Sequence, residues 1–258
     1  MNKELSELYA SKWETLCSIL KPIVNSEQHK VKPAYPLLID IGRWENNVQN
    51  EKWYSEADIR VMIFGKETNG WKGREDDFGN PPLPIFNPAI SVGAVMGVYE
   101  DFYKSHYLGY KFKYNANRYG TFHYGFTKFI SLLNEKYPTK QIGYIWNNIV
   151  KIGRAEGRGF SGNEIYSIEQ QYFHVIPKEV EILKPNIVIF LTGTYDDKIK
   201  VNFGESIYSP IFPFAEKEIV RIELPNVDFA YRTYHPSAHL LQGKMDEYYQ
   251  AIIKDINF

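Results

Sequence analysis

Three short apolar runs limit what this chain can fold into. The clearest is Asn186–Thr192, and the other two are Ile59–Phe64 and Ile142–Val150. Short continuous runs of this kind, rich in β-branched residues, are typical of parallel strands that are buried on both faces. Two further β-rich stretches, Ile219–Leu224 and Phe229–Tyr234, follow towards the C-terminus. The runs predict an α/β protein with a mostly parallel sheet.

Helical patterns separate these runs. Apolar residues at helical spacing predict a first amphipathic helix over about Lys3–Val24, closed by Pro22. The same spacing predicts further helices over about Val92–His106, Phe122–Asn134, Ser167–Leu183 and Leu240–Ile253. Strands that alternate with helices favour a sheet covered on both faces. We expect one α/β domain over residues 51–258, with an N-terminal helical extension, residues 1–50, packed on it.

Cysteine content and hydropathy indicate the compartment. Cys17 is the single cysteine, so neither a disulfide framework nor a cysteine-held zinc or iron–sulfur site can form within the chain. The N-terminal segment lacks the basic start and the continuous apolar run of a secretory signal, and no stretch is apolar enough to cross a bilayer. We therefore expect a cytoplasmic protein with no membrane partner.

The charge balance bears on nucleic-acid binding. The formal net charge is −1, whereas binding to a nucleic-acid backbone is driven by lysine and arginine. A local basic patch is compatible with this value, and the alternative is a set of scattered, solvated charges. The candidate residues for such a patch are Lys66, Lys72, Arg74, Lys151, Arg154 and Arg158.

The first candidate site segment is Gly65-Lys-Glu-Thr-Asn-Gly-Trp71, directly after the first apolar run. It opens a long loop rich in Gly, Asn and Pro, and long irregular loops in compact domains are commonly functional. Its glycines allow a tight turn that points Glu67 and Asn69 into a cleft. It lacks the glycine spacing of nucleotide-binding loops, so no nucleotide cofactor is expected. The alternative is a plain turn with an exposed glutamate.

The second segment, Trp146-Asn-Asn-Ile-Val-Lys151, places two adjacent amides, Asn147 and Asn148, in a run that otherwise indicates a buried strand. Asparagine is depleted from strands, so its presence there requires hydrogen-bond partners. Its side chain pairs a donor with an acceptor, as reading the edge of a pyrimidine requires. The alternative is an asparagine that satisfies the backbone of a neighbouring loop.

The third segment is Thr233-Tyr-His-Pro-Ser-Ala-His239, between a predicted strand and a predicted helix. Proline fixes the backbone beside His235, and Ser237 is suited to capping the next helix. A histidine here stabilises charge on a substrate oxygen or transfers a proton. The alternative is a capping turn with an incidental histidine. All three segments are predicted at or just after strand ends, where ligands bind in parallel sheets.

In combination, the three segments resemble the uracil-DNA glycosylase superfamily. Its members carry a Gly-rich carboxylate or amide loop after the first strand, an asparagine on the second and a His-Pro-Ser-type turn near the C-terminus. The likeness is closest to the bacterial and archaeal thermophile-type branch at Asn148-Ile-Val-Lys151, and it continues through Pro177–Gly193. It covers the chain from Ile59 to about Leu241. The resemblance implies a three-layer α/β/α sandwich around a central, mostly parallel four-stranded sheet.

The resemblance also implies residue roles. Glu67 falls at the water-orienting acidic residue, Asn148 at the pyrimidine-reading asparagine, and His235 at the histidine that stabilises the departing base. The other residues expected at the base are Asn69 and a stacking ring, Phe78 or Phe86, with Leu240 or Leu241 as the wedge that fills the gap in the duplex. The expected backbone and phosphate contacts are Gly65, Lys66, Lys151, Ser237 and Leu240.

The implied function is cleavage of the N-glycosidic bond of uracil or another damaged or modified base in DNA. Thr68 replaces the usual proline and Asn69 the usual tyrosine or glycine, so the base recognised is expected to differ. The cluster-binding cysteines of the thermophile-type branch are missing, so no iron–sulfur cluster, metal or other cofactor is expected. Two alternatives stay open: a non-catalytic nucleic-acid-binding module on the same scaffold, and a hydrolase of free nucleosides or nucleotides.

Overall fold

The computed structural model describes residues 1–45, 48–70, 86–107, 116–157, 159–238 and 243–258. The helices are α1 (Asn2–Asn25), α2 (Lys52–Ser55), α3 (Val92–Tyr107), α4 (Ala116–Lys136), α5 (Asn163–Tyr172), α6 (Ile176–Leu183), α7 (Asp196–Phe203) and α8 (Met245–Asp255). The strands are β1 (Arg43–Glu45), β2 (Val48–Asn50), β3 (Ile59–Asn69), β4 (Ile142–Arg154), β5 (Ile187–Leu191), β6 (Tyr208–Pro210), β7 (Ile219–Ile222) and β8 (Phe229–Thr233).

The chain divides into two compact units. The first unit comprises Met1–Glu51, Glu67–Phe112 and Val150–Ile182. The second unit comprises Lys52–Lys66, Lys113–Ile149 and Leu183–Phe258. Strands β3 and β4 each continue from the second unit into the first. The predicted N-terminal extension over residues 1–50 stays a prediction.

Within the described ranges, the main sheet has six strands in the order β4-β3-β5-β8-β7-β6. Strand β5 runs parallel to β3 and to β8, whereas β7 and β6 are antiparallel additions at one edge. Strand β4 runs in the same direction as β3, as the bonds Ile59 N to Gln141 O and Gly70 N to Arg154 O show. The predicted α/β class with a mostly parallel sheet is confirmed, but the sheet has six strands rather than the four expected. A two-stranded antiparallel sheet, β1-β2, belongs to the first unit.

Strand β3 does not end at Gly65, as the sequence predicted, but continues to Asn69. In the first unit, the backbone N–H of Gly153 donates to the Thr68 hydroxyl at 2.9 Å. A β-carbon added at Gly153 would collide with the Thr68 carbonyl, so only glycine permits this approach. Strand β4 likewise continues to Arg154, past the predicted end at Val150. Residues 65–69 of the first segment and all of the second segment, residues 146–151, therefore lie within strands, and the expectation that these segments lie at or just after strand ends is wrong.

The helices follow the predicted pattern with one interruption. The predicted segment Ser167–Leu183 forms two helices, α5 and α6, because Pro177 has no backbone N–H and its ring excludes helix in the preceding turn. Helix α1 tolerates Pro22 in its last turn and ends at Asn25. None of the helices in the described ranges has the length and apolarity to span a lipid bilayer.

The core of the first unit is built on α1, which packs against α5 and α3. Its apolar face buries Leu5, Tyr9, Trp13, Leu16 and Leu20, and a fully buried leucine contributes about 1.5–3 kcal/mol. The Trp13 indole N–H donates to the Ile90 carbonyl at 2.9 Å. Phe86 is fully buried beside Trp13 and Tyr35, with ring centroids 5.9 and 5.1 Å away.

A buried polar cluster lies in the same unit. The ammonium group of Lys151 contacts the Glu179 carboxylate at 2.7 Å, and the Tyr9 hydroxyl donates to the same oxygen at 2.6 Å. Tyr9 in turn accepts the backbone N–H of Ile39 at 3.1 Å. Burial lowers the pKa of Lys151, and the Glu179 carboxylate partly offsets that shift. The charges are paired and hydrogen-bonded, as burial of charge requires.

Glu169 fixes the backbone of β4 from the neighbouring helix. Its two carboxylate oxygens accept the backbone N–H groups of Lys151 at 3.0 Å and Ile152 at 2.8 Å. Burial raises the pKa of Glu169 to about 7, and the two backbone donors oppose this shift only in part. The folded protein therefore retains a proton that the unfolded chain releases near the ordinary glutamate pKa of 4.5.

The first prediction concerns this proton. Because the folded state binds it more tightly, the free energy of unfolding falls as the pH rises from about 4.5 to about 7. Relative to Glu169→Gln, the wild type should lose about 1–3 kcal/mol over this window, since one pKa unit corresponds to about 1.4 kcal/mol. Urea unfolding at a series of pH values measures the difference. Glu181→Gln, an exposed change in α6, is the control, and equal slopes for wild type and Glu169→Gln would contradict the assignment.

Candidate functional site

The candidate site lies in the second unit, at the carboxyl ends of β5 and β8. Phe64 of β3 is in register with Phe190 of β5, and Phe190 is in register with Arg232 of β8. Strands β5 and β8 end one residue further on, so Gly65 and Lys66 lie beside these ends. His235 follows two residues after the end of β8. Parallel sheets bind ligands at this edge.

The hydrogen bonds of His235 fix its tautomer. The backbone N–H of Ser237 donates to His235 Nδ1 at 3.2 Å, and the Ser237 hydroxyl lies 2.7 Å from the same atom. Since Nδ1 accepts, the ring carries its proton on Nε2. Burial, and next the positive charge of Lys66, lower the pKa of His235 to about 4. At neutral pH the ring is therefore an uncharged donor through Nε2–H.

The His-Pro-Ser turn is supported by α4. A β-carbon added at Gly125 would collide with the Pro236 ring and would lie 2.7 Å from the Tyr249 hydroxyl oxygen. Glycine therefore lets the helix reach the turn directly. Ser237 is exposed and bonds to the His235 ring, while α8 begins only at Met245. The structure thus gives Ser237 the task of orienting His235, in place of the predicted helix cap.

The two polar atoms of the Asn148 amide differ: the oxygen has a hydrogen-bond partner, and the nitrogen has none among the described residues. Its Oδ1 accepts the indole N–H of Trp146 at 2.9 Å, and a β-carbon added at Gly65 would lie 2.7 Å from that oxygen. Its Nδ2 is buried and has no hydrogen-bond partner among the described residues. A buried donor without a partner costs about 1–3 kcal/mol, so such atoms indicate a ligand or a functional constraint. The neighbouring Asn147 is internal, and its Oδ1 accepts the backbone N–H of Asn148 at 2.8 Å.

Phe122 of α4 joins the two polar groups. Its ring stacks on His235, with a centroid distance of 5.7 Å and an interplanar angle of 21°, and lies 5.7 Å from the Trp146 ring. Its edge would be 3.0 Å from a β-carbon at Gly65. Phe122 was not among the predicted site residues, because one aromatic residue in a helix rich in them carries no signal of its own in the sequence. Its partial exposure distinguishes it from neighbouring core rings such as Phe126.

Lys66 supplies positive charge at this edge. Its ammonium group lies 4.8 Å from the centroid of the Tyr195 ring, just before α7. Helix α7 is in turn anchored by Arg232, whose Nε contacts Asp196 at 2.9 Å. Two more buried hydroxyls without a described partner flank the same turn: Thr192, next to Gly193, and Tyr249. The hydroxyls of Thr192 and Tyr249 are therefore two buried polar groups close to the His-Pro-Ser turn.

Other predicted site residues belong to the first unit or lie outside the described residues. Lys151 is fully buried in its pair with Glu179, which leaves no side-chain surface for a phosphate. Phe86 belongs to the core of the first unit and offers no face for stacking. Glu67 directly follows Lys66 in β3 and is partly buried, and its role as the water-orienting carboxylate stays a prediction. The side chain of Asn69 and all of Phe78, Leu240, Leu241, Lys72, Arg74 and Arg158 lie outside the described residues.

The site residues that come together are thus Gly65, Lys66, Phe122, Trp146, Asn148, His235 and Ser237. Within the described parts of the chain, no cluster of His, Cys, Asp and Glu is arranged to hold a metal ion. No protein family model matches the sequence, and no curated protein matches it significantly. The contacts of these side chains are therefore the evidence that bears on function.

The second prediction tests the packing at Gly65. Gly65→Ala places a β-carbon against Asn148 Oδ1 and the Phe122 ring, so both side chains must move. We expect a loss of about 1–3 kcal/mol in the free energy of unfolding, because a well-packed site resists added volume. Chemical denaturation measures it. The control is Gly97→Ala in α3, where an added β-carbon meets nothing and helix propensity improves. Similar changes in both variants would contradict the close packing.

The third prediction concerns the charge state of His235. Lys66→Met removes a positive charge that lowers the pKa of His235, so that pKa should rise from about 4. It should stay below the ordinary value of 6.5, because burial is the larger cause. Histidine NMR titration measures the shift, with His235→Asn identifying the signal. Lys3→Met, an exposed change, is the control. An unchanged midpoint in Lys66→Met would show that Lys66 does not act on this ring.

Proposed function

We propose that this chain is a DNA glycosylase-like hydrolase that cleaves the N-glycosidic bond of uracil or another damaged or modified base. One observation carries the proposal. An uncharged His235 that donates through Nε2–H, and an Asn148 amide with an unpartnered N–H group, flank the same ring, Phe122, at the carboxyl edge of the sheet. The parallel run of the neighbouring strands β4, β3, β5 and β8 within the six-stranded sheet supports the proposal.

The proposed chemistry uses His235 as a hydrogen-bond donor. Cleavage of the bond between sugar and base leaves negative charge on the base, which spreads to its carbonyl oxygens. A preorganised neutral donor stabilises that charge without giving up its proton, and Lys66 adds positive potential beside it. The target nucleotide must leave the base stack to reach this edge.

The base is held by Asn148 and Phe122. The Asn148 Nδ2 group donates to an acceptor on the pairing edge of the base, and this contact satisfies the buried donor. Phe122 replaces Phe78 and Phe86 in the proposal as the ring on which the base stacks, since it is partly exposed and already stacked on His235. Glu67 stays the predicted water-orienting carboxylate, because of its position in the sequence two residues after Gly65.

The fourth prediction is the activity itself. Oligonucleotides with uracil, hypoxanthine or xanthine, single- and double-stranded, are incubated with the protein, and abasic sites are detected by strand cleavage in alkali. His235→Ala should slow base release by about 100- to 1,000-fold, the usual effect of removing one preorganised donor. Asn148→Ala should lower turnover more than binding.

The control for this assay is His29→Ala, which removes a histidine of the first unit that contacts Glu164. It should retain the wild-type rate. If the wild-type protein yields no abasic product from any of the substrates, the hydrolase proposal fails. If it then binds DNA in a salt-dependent way, it is a non-catalytic binding module.

One observation favours a second candidate, a hydrolase of free nucleosides or nucleotides. Lys151 is buried in an ion pair with Glu179, so it does not contact a phosphate, and the formal net charge of the chain is −1. Recognition of a free nucleoside does not need the lysines and arginines that meet the phosphates of a duplex. Release of free base from uridine, deoxyuridine or inosine, without release from oligonucleotides, would establish this candidate.

A further inference from the structure

We propose that the ring of Phe212 is a stacking platform for a base of single-stranded nucleic acid that lies along the carboxyl edge of the sheet. Phe212 follows β6, one of the two strands beyond the four-stranded sheet that the sequence predicted. The inference rests on the proposed function, because it takes the strand to be at this edge. It concerns how the strand is held and not how the bond is cleaved.

Phe212 is the most exposed large apolar side chain among the described residues. Its exposed fraction is 94%, and the next values are 61% for Ile207 and 56% for Phe258. Contact with another molecule removes apolar surface from water, which is favourable. A ring that the fold leaves almost wholly in water is therefore available to a partner.

The loop that carries this ring, residues 211–218, is held by hydrogen bonds. The backbone N–H of Phe214 donates to the Ile211 carbonyl at 2.8 Å. The guanidinium group of Arg232, in β8, donates to the Lys217 carbonyl at 3.0 Å. The ring is thus presented on an ordered loop, and such a platform loses little conformational entropy when it binds.

The loop lies at the same edge of the sheet as His235. Strand β6 is antiparallel to β7 and β7 is antiparallel to β8, so β6 points in the same direction as β8. Pro210, the last residue of β6, is in register with Val220, which is in register with Arg232, one residue before the end of β8. Phe212 and His235 each follow two residues after the end of their strand.

Aromatic contacts connect the loop to the His-Pro-Ser turn. The ring of Phe214 meets the ring of Tyr248 edge-on, with centroids 5.3 Å apart. Tyr248 in turn contacts Tyr234, the residue before His235, with centroids 6.1 Å apart. The Tyr248 hydroxyl also donates to the Glu218 carboxylate at 2.8 Å. These contacts fix the loop beside the turn.

The spacing suits a strand of nucleic acid. Two strand spacings separate β6 from β8, which is roughly 10 Å across the sheet. Stacked bases follow each other at about 3.4 Å, so the loop lies about three bases from the histidine turn. The exposed charges of Glu216 and Lys217 in the loop are opposite, so the ring is the feature that suits a nucleic acid. Bases stack on aromatic rings with little regard to sequence.

The fifth prediction is that Phe212→Ala weakens binding of a single-stranded oligonucleotide by about 5- to 150-fold, the loss expected from one base stack. The probe is fluorescein-labelled, about 12 nucleotides long, and is followed by fluorescence anisotropy. Its central nucleotide is 2′-fluoro-2′-deoxyuridine, whose fluorine destabilises a cationic sugar and so prevents cleavage. Phe212→Tyr should keep most of the affinity. The salt dependence should not change in Phe212→Ala, because no cation is removed.

Phe258→Ala is the matched control. Phe258 is also an exposed phenylalanine, but its ring packs on Phe229 at the opposite, amino end of β8. This variant should bind the oligonucleotide as the wild type does. In a second measurement, the oligonucleotide should quench the added tryptophan fluorescence of Phe212→Trp and leave that of Phe258→Trp unchanged, each after subtraction of the wild-type signal.

Equal affinity in wild type and Phe212→Ala, or no quenching in Phe212→Trp, overturns the inference. A wild type that binds no oligonucleotide also overturns it. So does a wild type that sediments as a dimer while Phe212→Ala is a monomer, since a second copy of the chain would then cover the ring. Base release with unchanged affinity in Phe212→Ala rejects the inference and keeps the hydrolase. Weakened binding in Phe212→Ala, with no base release by the wild type, keeps the inference and rejects the hydrolase.

Discussion

Two glycines, Gly65 and Gly153, allow β3 and β4 to approach each other closely. The positions of Asn148, Phe122 and Thr68 depend on the space that these glycines leave. In the second unit, Gly65 leaves room for the Asn148 amide oxygen and the Phe122 ring. In the first unit, Gly153 leaves room for the Thr68 carbonyl and donates to its hydroxyl. Neither glycine has a left-handed backbone, so each acts through the absence of a side chain, not through a turn.

The buried polar groups of the two units differ in their hydrogen-bond partners. In the first unit, the ammonium group of Lys151 and the carboxylate of Glu179 satisfy each other, and Glu169 ties the backbone of β4 to α5. These groups are internal, and the raised pKa of Glu169 links the stability of the fold to pH. In the second unit, a buried amide N–H without a described hydrogen-bond partner and a neutral histidine lie beside an aromatic ring. A buried donor without a partner lowers stability, and a ligand that accepts its hydrogen bond would account for its presence.

The sequence predicted those features that local pattern controls. The apolar run at Asn186–Thr192 predicted β5, and the His-Pro-Ser turn predicted an oriented histidine at a strand end. The sequence did not predict that Gly65 lies within β3 and leaves room for Asn148 and Phe122, because a glycine after an apolar run suggests a turn unless the partner strand is known. Lys151 was expected at a phosphate for a similar reason: its environment depends on Glu179, itself bonded to Tyr9 from 170 residues away. Tertiary contacts of that range leave no local trace.

Electrostatics separates the candidate functions at this site. Affinity for a duplex grows with the number of cations that meet phosphates, and each adds to the dependence on salt. Of the lysines expected at phosphates, Lys151 is internal, whereas Lys66 lies over the Tyr195 ring and acts on His235. In the proposed function, the described site binds chiefly through hydrogen-bond donors and an aromatic ring, which recognise a base and not a backbone. Under this proposal, recognition of a single exposed base would depend little on salt, and binding of a duplex would require backbone-facing charge from other parts of the chain.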